Sequence, residues 1–224
     1  MTDKLTLHRR PSASGKTGAI VVFVHGYGAD GKDLLGLAEP LSAHLPDVAF
    51  VAPDAPDPCT NNPMGFQWAP IPWLDGSSEV AAAAAFARSS DLLGGLLDDL
   101  LTESGLGPDR LLLFGFSQGT MLSLHVAPRR TGEIAGVTGF SGRLLVPERL
   151  EAEAVSKPPV LLVHGDADEV VPFSSMGAAA EALQALGFAV YGHVMRGTGH
   201  GIAPDGLSVA LAFIKERFGI QQSE

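Results

Sequence analysis

Short, continuous apolar segments alternate along this chain with stretches that have helical periodicity. The apolar segments are residues 19–24, 48–51, 110–116, 134–140, 159–163 and 188–194. The helical stretches are residues 33–45, 78–101, 118–127, 173–186 and 205–218. A strand that is apolar on both faces is typical of a parallel sheet covered by helices on both sides. The alternation therefore predicts an α/β fold, with a mostly parallel, doubly wound sheet flanked by helices.

One long segment interrupts this alternation. Residues 52–76 are rich in proline and aromatic residues and have no regular periodicity. A loop of this length in a compact domain is usually functional, and a disordered insertion is the alternative. Its large apolar side chains would be costly to leave in water, so we expect an ordered excursion over the top edge of the sheet.

We predict one α/β domain over residues 18–224, preceded by a polar tail or edge segment over residues 1–17.

The composition argues against several classes of partner. The formal net charge is -10, and an acidic surface repels a phosphate backbone, so we expect no nucleic-acid partner.

The N-terminal residues lack the apolar core of a signal peptide, and no continuous apolar run reaches the roughly 18 residues that span a bilayer. Cys59 is the only cysteine, which excludes an internal disulfide and fits a reducing compartment. We therefore predict a cytoplasmic protein without a membrane span.

The segment from Gly115 to Gly119 has the pattern Gly-x-Ser-x-Gly around Ser117. The pattern alone is weak in a glycine-rich chain. Here it follows a predicted strand and precedes a predicted helix, which is the context that a nucleophile elbow requires. The two glycines leave the space that such a tight, strained turn needs. We predict that Ser117 is the nucleophile, with an ordinary turn serine as the alternative. Cys59 could also be a nucleophile, but it has no strand-turn-helix context.

A serine nucleophile needs a base, and one of the seven histidines stands out by its position. His200 lies in the glycine-rich segment 197–201, between the last predicted strand and the last predicted helix. The base in turn needs a carboxylate that fixes its tautomer and orientation. Three candidates follow an earlier predicted strand: Asp166, Asp168 and Glu169. The resulting order of serine, acid and histidine along the chain is that of α/β-hydrolases.

The oxyanion of an acyl-transfer intermediate needs backbone donors. The N–H of Gln118 follows the nucleophile, and we predict the N–H of Tyr27, in the glycine-rich turn after the first apolar strand, as the second donor. A glycine turn without a catalytic role is the alternative at Tyr27. Trp68, Ile71 and Trp73 concentrate in the long loop, and we predict that they wall the acyl pocket.

The other histidines favour structural roles. His25 and His164 each end a predicted strand and precede a glycine, so we expect both to hold loops in place. His125 lies on the helix after the elbow, where we expect a structural histidine. The histidines show no metal-ligand spacing, and we expect neither a metal nor a cofactor.

Six segments of the chain resemble those of a known family. They are HGYGAD at 25–30, PDAP at 53–56, GFSQGT at 115–120, FSGRL at 140–144, HGDADEVVP at 164–172 and GTGHGI at 197–202. In order and spacing they are similar to the bacterial carboxylesterases and acyl-protein thioesterases, the phospholipase/carboxylesterase group of α/β-hydrolases. The resemblance implies the α/β-hydrolase fold, a triad of Ser117, Asp168 and His200, and an oxyanion hole at Tyr27 and Gln118. It also implies small esters or thioesters as substrates, and often a homodimer.

The long loop departs from the family pattern. Family members commonly have an aromatic residue followed by Asp just past the proline loop, whereas Trp68 is followed here by Ala69 and Pro70. This difference leaves the acyl-chain preference open. We predict a serine carboxylesterase that acts on small, short-chain acyl esters. The alternatives are an acyl-protein thioesterase or lysophospholipase, and a non-catalytic α/β-hydrolase relative that binds a ligand or partner.

Overall fold

The computed structural model describes residues 4–221. The strands are β1 (Leu7–Arg10), β2 (Ala19–Val24), β3 (Val48–Pro53), β4 (Asp57–Pro58), β5 (Phe66–Gln67), β6 (Leu111–Phe116), β7 (Gly136–Phe140), β8 (Val160–Gly165) and β9 (Val190–Met195). Seven of them form the central sheet, in the order β1-β3-β2-β6-β7-β8-β9, and β4 pairs with β5 in a small separate hairpin. β1 runs antiparallel to β3, and the other neighbouring strands of the central sheet are parallel.

Helices cover both faces of the central sheet. They are α1 (Gly31–Leu35), α2 (Ala38–Ser42), α3 (Pro72–Asp75), α4 (Glu79–Ser104), α5 (Gln118–Val126), α6 (Pro147–Glu153), α7 (Ser174–Ala185) and α8 (Pro204–Phe218). Buried residues of α4, α5, α6 and α7 pack on one face of the sheet, and those of α1, α2 and α8 pack on the other.

β2 illustrates why the central strands are apolar throughout. Its residues alternate between the faces, so that Ile20, Val22 and Val24 join one core cluster. Ala19, Val21 and Phe23 join the cluster on the opposite face. Both faces are buried, and a polar residue on either side would lose its hydration. The predicted α/β fold, with a mostly parallel sheet between helical layers, is confirmed.

The edge of the sheet near the N-terminus differs from the simple alternating pattern. The stretch 33–45 forms two short helices, α1 and α2, rather than one. Pro40 lacks the N–H that would bond to the carbonyl of Gly36, and glycine itself disfavours a helix. β1 falls within the predicted tail or edge segment, and within residues 4–221 it pairs only with β3. Its exposed Arg9 forms an ion pair with Glu103 of α4.

Among the described residues, α4 is the one helix that is long and apolar enough to cross a membrane by length and composition. The segment is not a continuous apolar run of that length, because serine, arginine and aspartate residues interrupt it. Leu93 and Leu97, in the second half of α4, have no exposed surface and belong to the core cluster that includes α5. Core helices of globular domains commonly share these properties, so a single helix of this kind is weak evidence for a membrane span.

His125 on α5 is expected to make the stability of this core dependent on pH. Its ring lies edge-on to Phe86 of α4, with the centroids 5.1 Å apart. Burial, reinforced by the nearby Arg129 cation, lowers the pKa of His125 from 6.5 to about 4. Between these values the unfolded chain binds a proton at this position that the folded protein does not bind. The free energy of unfolding is therefore expected to fall as the pH is lowered through this window.

This prediction can be checked by urea unfolding across the window in the parent protein and in His125→Leu. The substitution removes the titrating group and is expected to reduce the pH slope of the unfolding free energy. His44→Gln, at an exposed histidine, is the control and should leave the slope unchanged. Equal slopes in the parent and His125→Leu would show that this group does not carry the effect.

Candidate active site

Ser117 lies at the junction of β6 and α5, with φ 52° and ψ -115°. Positive φ is strained for a residue with a side chain. The turn is held by the Ser117 N–H, which donates to the Phe140 carbonyl at 2.9 Å. Gly119 is required sterically, because a Cβ there would lie 1.9 Å from the carbonyl oxygen of Val24. A Cβ at Gly115 would lie 2.6 Å from the backbone of Thr120. The sequence pattern thus forms a strained strand-to-helix elbow that presents Ser117.

Asp168 and His200 meet at the carboxyl ends of β8 and β9. The Asp168 Oδ2 atom lies 2.8 Å from the His200 Nδ1 atom. The Asp168 Oδ1 atom accepts the backbone N–H groups of Val170 and Val171, each at 2.9 Å. The Asp168 side chain has no exposed surface, whereas that of His200 is 18% exposed. With its Nδ1 proton donated to the carboxylate, neutral His200 carries its lone pair on Nε2, as a general base requires.

The Asp168 carboxylate is held in its ionised form. Burial alone would raise the pKa of Asp168, but the hydrogen bonds from His200, Val171 and Val170 outweigh burial and lower it. An ionised carboxylate is the form that orients an imidazole and stabilises the imidazolium formed during catalysis.

A second imidazole contacts the same carboxylate. The Nε2 atom of buried His164 lies 3.1 Å from Asp168 Oδ2 and 3.0 Å from the Val171 carbonyl oxygen. Both neighbours are acceptors, so Nε2 of His164 carries a proton. His164 therefore holds the loop that bears Asp168, in line with the expectation that it has a loop-holding role.

The two other candidate acids lie in different environments. Asp166 Oδ1 accepts the backbone N–H of Gly197 at 2.6 Å, which ties the turn after β8 to the segment that carries His200. Glu169 is exposed. Of the three carboxylates, Asp168 is the one hydrogen-bonded to the His200 ring.

Phe116 connects the His200 ring with the elbow. The rings of Phe116 and His200 have centroids 5.0 Å apart, so the imidazole packs beside the residue that precedes Ser117. Gly165 permits the close approach of the histidine loop, because a Cβ there would lie 2.1 Å from the carbonyl oxygen of Thr198. The loop 197–201 therefore lies against the end of β8, at the same edge of the sheet as Ser117.

The turn that carries Tyr27 also passes beside Ser117. A Cβ placed on Gly26 would lie 3.3 Å from the Ser117 Cβ. His25 fixes this turn, since its Nδ1 atom bonds to the Gly26 carbonyl at 2.7 Å and its Nε2 atom accepts the Ala55 N–H at 2.9 Å. Desolvation lowers the pKa of His25, which keeps the ring in the neutral form that these two bonds need.

The three predicted pocket residues lie in different environments. Trp68 has no exposed surface, Ile71 is partly buried and Trp73 is 78% exposed. An acyl chain cannot reach Trp68 without a rearrangement of the loop, so Trp68 belongs to the interior and not to the wall of an open pocket. The pocket wall was predicted from aromatic residues grouped in one irregular loop, and this pattern does not distinguish buried from exposed positions. The loop itself is ordered and contains β4, β5 and α3.

The chain is similar along most of its length to the proteins of one family. The family model described as phospholipase/carboxylesterase matches residues 11–217 of the chain. The chain belongs to the phospholipase/carboxylesterase family. Its membership confirms the predicted α/β-hydrolase fold, as do the solved structures that the chain resembles. Both also confirm a serine hydrolase, within the esterases and thioesterases of this family.

Relatives of this phospholipase/carboxylesterase family member cover most of its length. It is 30% identical over 220 residues to acyl-protein thioesterase 1 of Gibberella zeae, with 92% of this chain and 93% of the relative covered. It is 31% identical to acyl-protein thioesterase 1 of Neurospora crassa, with 95% and 94% covered. The crystal structure of esterase PE8 is 42% identical in sequence, with a TM-score of 0.90 and 96% and 99% of the two chains covered.

Proposed function

We propose that this protein is a carboxylic-ester hydrolase that acts on small, short-chain acyl esters through Ser117, His200 and Asp168. The observation that carries the proposal is the 2.8 Å contact between His200 Nδ1 and Asp168 Oδ2, at the same edge of the sheet as a serine held at positive φ on the elbow. Strained backbone of this kind clusters at active sites, and an acid–imidazole pair next to a serine is the arrangement that activates it.

The reaction proceeds through an acyl-enzyme. Ser117 Oγ attacks the ester carbonyl carbon while His200 Nε2 accepts the hydroxyl proton. The backbone N–H groups of Tyr27 and Gln118 stabilise the negative oxygen of the tetrahedral intermediate. His200 then donates its proton to the departing alcohol, and the acyl-oxygen bond breaks. Water then attacks the acyl carbon while His200 Nε2 accepts its proton. The bond between the acyl carbon and Ser117 Oγ breaks, His200 returns the proton to Ser117 Oγ, and the acid is released. Neither a metal nor a cofactor enters these steps.

The packing of the long loop supports a preference for short acyl chains. Trp68 fills the interior next to His25, with ring centroids 5.3 Å apart. Of the three predicted pocket residues, Ile71 and Trp73 are left at the surface for contact with an acyl chain. Two such side chains contact a few methylene groups of an acyl chain, and burial of each methylene group contributes about 0.8 kcal/mol to binding. The acyl-protein thioesterases among the relatives favour the second candidate, a thioesterase for longer acyl groups.

An acyl-chain series of p-nitrophenyl esters, measured beside matched acyl thioesters, tests the proposal. We expect kcat/KM to be highest for short-chain esters in the parent protein. Trp73→Ala is expected to lower the ratio of kcat/KM for octanoate to that for butyrate by about tenfold, because it removes apolar surface that the additional methylene groups of octanoate would contact.

Val80→Ala is the matched control for this substitution, because Val80 is 80% exposed and follows Trp73 in the chain, in the first turn of α4. It should leave the octanoate-to-butyrate ratio unchanged. A parent protein that prefers long-chain thioesters over every short ester would favour the second candidate. An unchanged ratio in Trp73→Ala would remove Trp73 from the pocket. The cytoplasmic location and the homodimer stay predictions.

A further inference from the structure

Trp68 is hydrogen-bonded to both segments of the chain that carry the proposed oxyanion amides. Its indole Nε1–H donates to the carbonyl of His25 at 2.9 Å, and His25 lies two residues before Tyr27. Its backbone N–H donates to the side-chain Oε1 of Gln118, also at 2.9 Å. One buried residue thus connects the turn after β2 with the first residue of α5.

Every hydrogen-bonding group of Trp68 has a partner inside the protein. Besides the two donors, its carbonyl accepts the hydroxyl of buried Ser89 on α4. Gln118 returns a second bond to the same loop, because its Nε2 donates to the Ala69 carbonyl at 2.8 Å. Trp68 has no exposed surface and Gln118 is 7% exposed. Hydrogen bonds shielded from water in this way are strong and directional, and they restrict the groups that they join.

The choice of tryptophan has a chemical reason. Of the aromatic side chains, only the indole combines a large apolar ring with an N–H that donates and does not accept. Phenylalanine would fill much of the same space but would leave the His25 carbonyl without this donor. The Trp68 ring therefore sets the distance between two backbone segments as well as filling the interior.

We infer that Trp68 is a positioning residue that holds the Tyr27 and Gln118 amides at the separation that the tetrahedral oxyanion requires. The inference rests on the proposed function, since it concerns the oxyanion hole of that same site. Donors that are fixed before the reaction need no reorganisation as charge develops, and this is the source of their catalytic effect. Loosening the Trp68 bonds would therefore weaken binding of the transition state more than binding of the ester.

Trp68→Phe tests the inference by removing the indole donor while retaining an aromatic ring. We expect kcat for a short-chain ester to fall by about ten- to a hundredfold, with KM changed by less than about threefold. We also expect weaker inhibition by an alkyl boronic acid, by a similar factor. The boron bonds to Ser117 Oγ and the hydroxyl proton passes to His200, which gives a tetrahedral anion in the oxyanion hole.

Gln118→Met tests the other end of the connection and keeps the test valid if Trp68→Phe does not fold. It preserves the backbone N–H of residue 118 but removes both side-chain bonds to the loop. We expect the same selective loss of kcat and of boronate affinity. The double variant should lose less than the product of the two single effects, because both substitutions release the same loop.

Phe50→Leu is the control for a loss of core packing alone, since Phe50 is fully buried on β3 and stacks on Phe23. It should lower the unfolding midpoint and leave kcat and boronate affinity unchanged. If Trp68→Phe and Gln118→Met behave like Phe50→Leu, the positioning role is wrong while the esterase proposal stands. If the parent protein neither hydrolyses esters nor binds the boronate, the proposed function fails and the inference fails with it.

Discussion

Ser117→Ala is expected to lower kcat for a short-chain ester by at least about a thousandfold, while the protein remains folded. The substitution removes the hydroxyl that attacks the carbonyl, and no other group at the elbow can form the acyl-enzyme. Alanine keeps the Cβ and so tolerates the φ of 52° as well as serine does. Initial rates and a thermal unfolding curve on the same preparation separate loss of catalysis from loss of structure.

Ser141→Ala is the matched control. Ser141 lies in a similar sequence, Gly-Phe-Ser-Gly, at the end of the adjacent strand β7, and it too has positive φ, 47°. The Ser141 side chain is fully buried and takes no part in the proposed reaction. We expect it to retain kcat within about threefold. Retained activity in Ser117→Ala, or loss of activity in Ser141→Ala alone, would show that the nucleophile has been misassigned.

Asp168→Asn is expected to lower kcat by at least about a hundredfold, with a smaller effect on KM. The reason lies in the two backbone N–H groups that donate to Asp168 Oδ1. They would hold the amide oxygen of asparagine in that position, which turns its NH2 group towards His200 Nδ1. A donor there favours the tautomer with the proton on Nε2. The lone pair that should accept the Ser117 proton is then lost.

Asp166→Asn is the control for this substitution. Asp166 accepts the Gly197 N–H through Oδ1, and the amide oxygen of asparagine can accept the same bond. We expect kcat within about threefold of the parent value, with the main effect on stability. Comparing kcat of the two variants on one ester at neutral pH decides the assignment. A crippled Asp166→Asn beside a nearly normal Asp168→Asn would make Asp166 the acid.

The central strands could be predicted because burial on both faces leaves an unmistakable apolar run, as in Ala19–Val24. The elements that escaped prediction bury little. α6 has one buried residue, Leu150, so seven residues provide no periodicity to detect. The sequence predicts β1 only as part of a tail or edge segment, because a strand paired on one side carries a weak and partly polar pattern.

The candidate site was predictable where chemistry limits the choice of residue. An elbow needs glycines at positions 115 and 119, because a Cβ at either position would lie too close to neighbouring backbone atoms. Trp68 was a different case. An aromatic residue in a proline-rich loop is compatible with a pocket wall or with a buried connection between segments. The choice depends on partners distant in sequence, His25 and Gln118, which no local pattern reveals.

Labelling of the parent protein with a fluorophosphonate probe, followed by tryptic mass mapping, tests the central claim most directly. The probe phosphonylates an activated serine and releases fluoride, so its position identifies the nucleophile. Trypsin separates the candidates, because Ser117 falls in the peptide 111–129 and Ser141 in the peptide 131–143. We predict one label per chain, at Ser117, and none in Ser117→Ala. A label at Ser141, or no label on folded parent protein, would contradict the account.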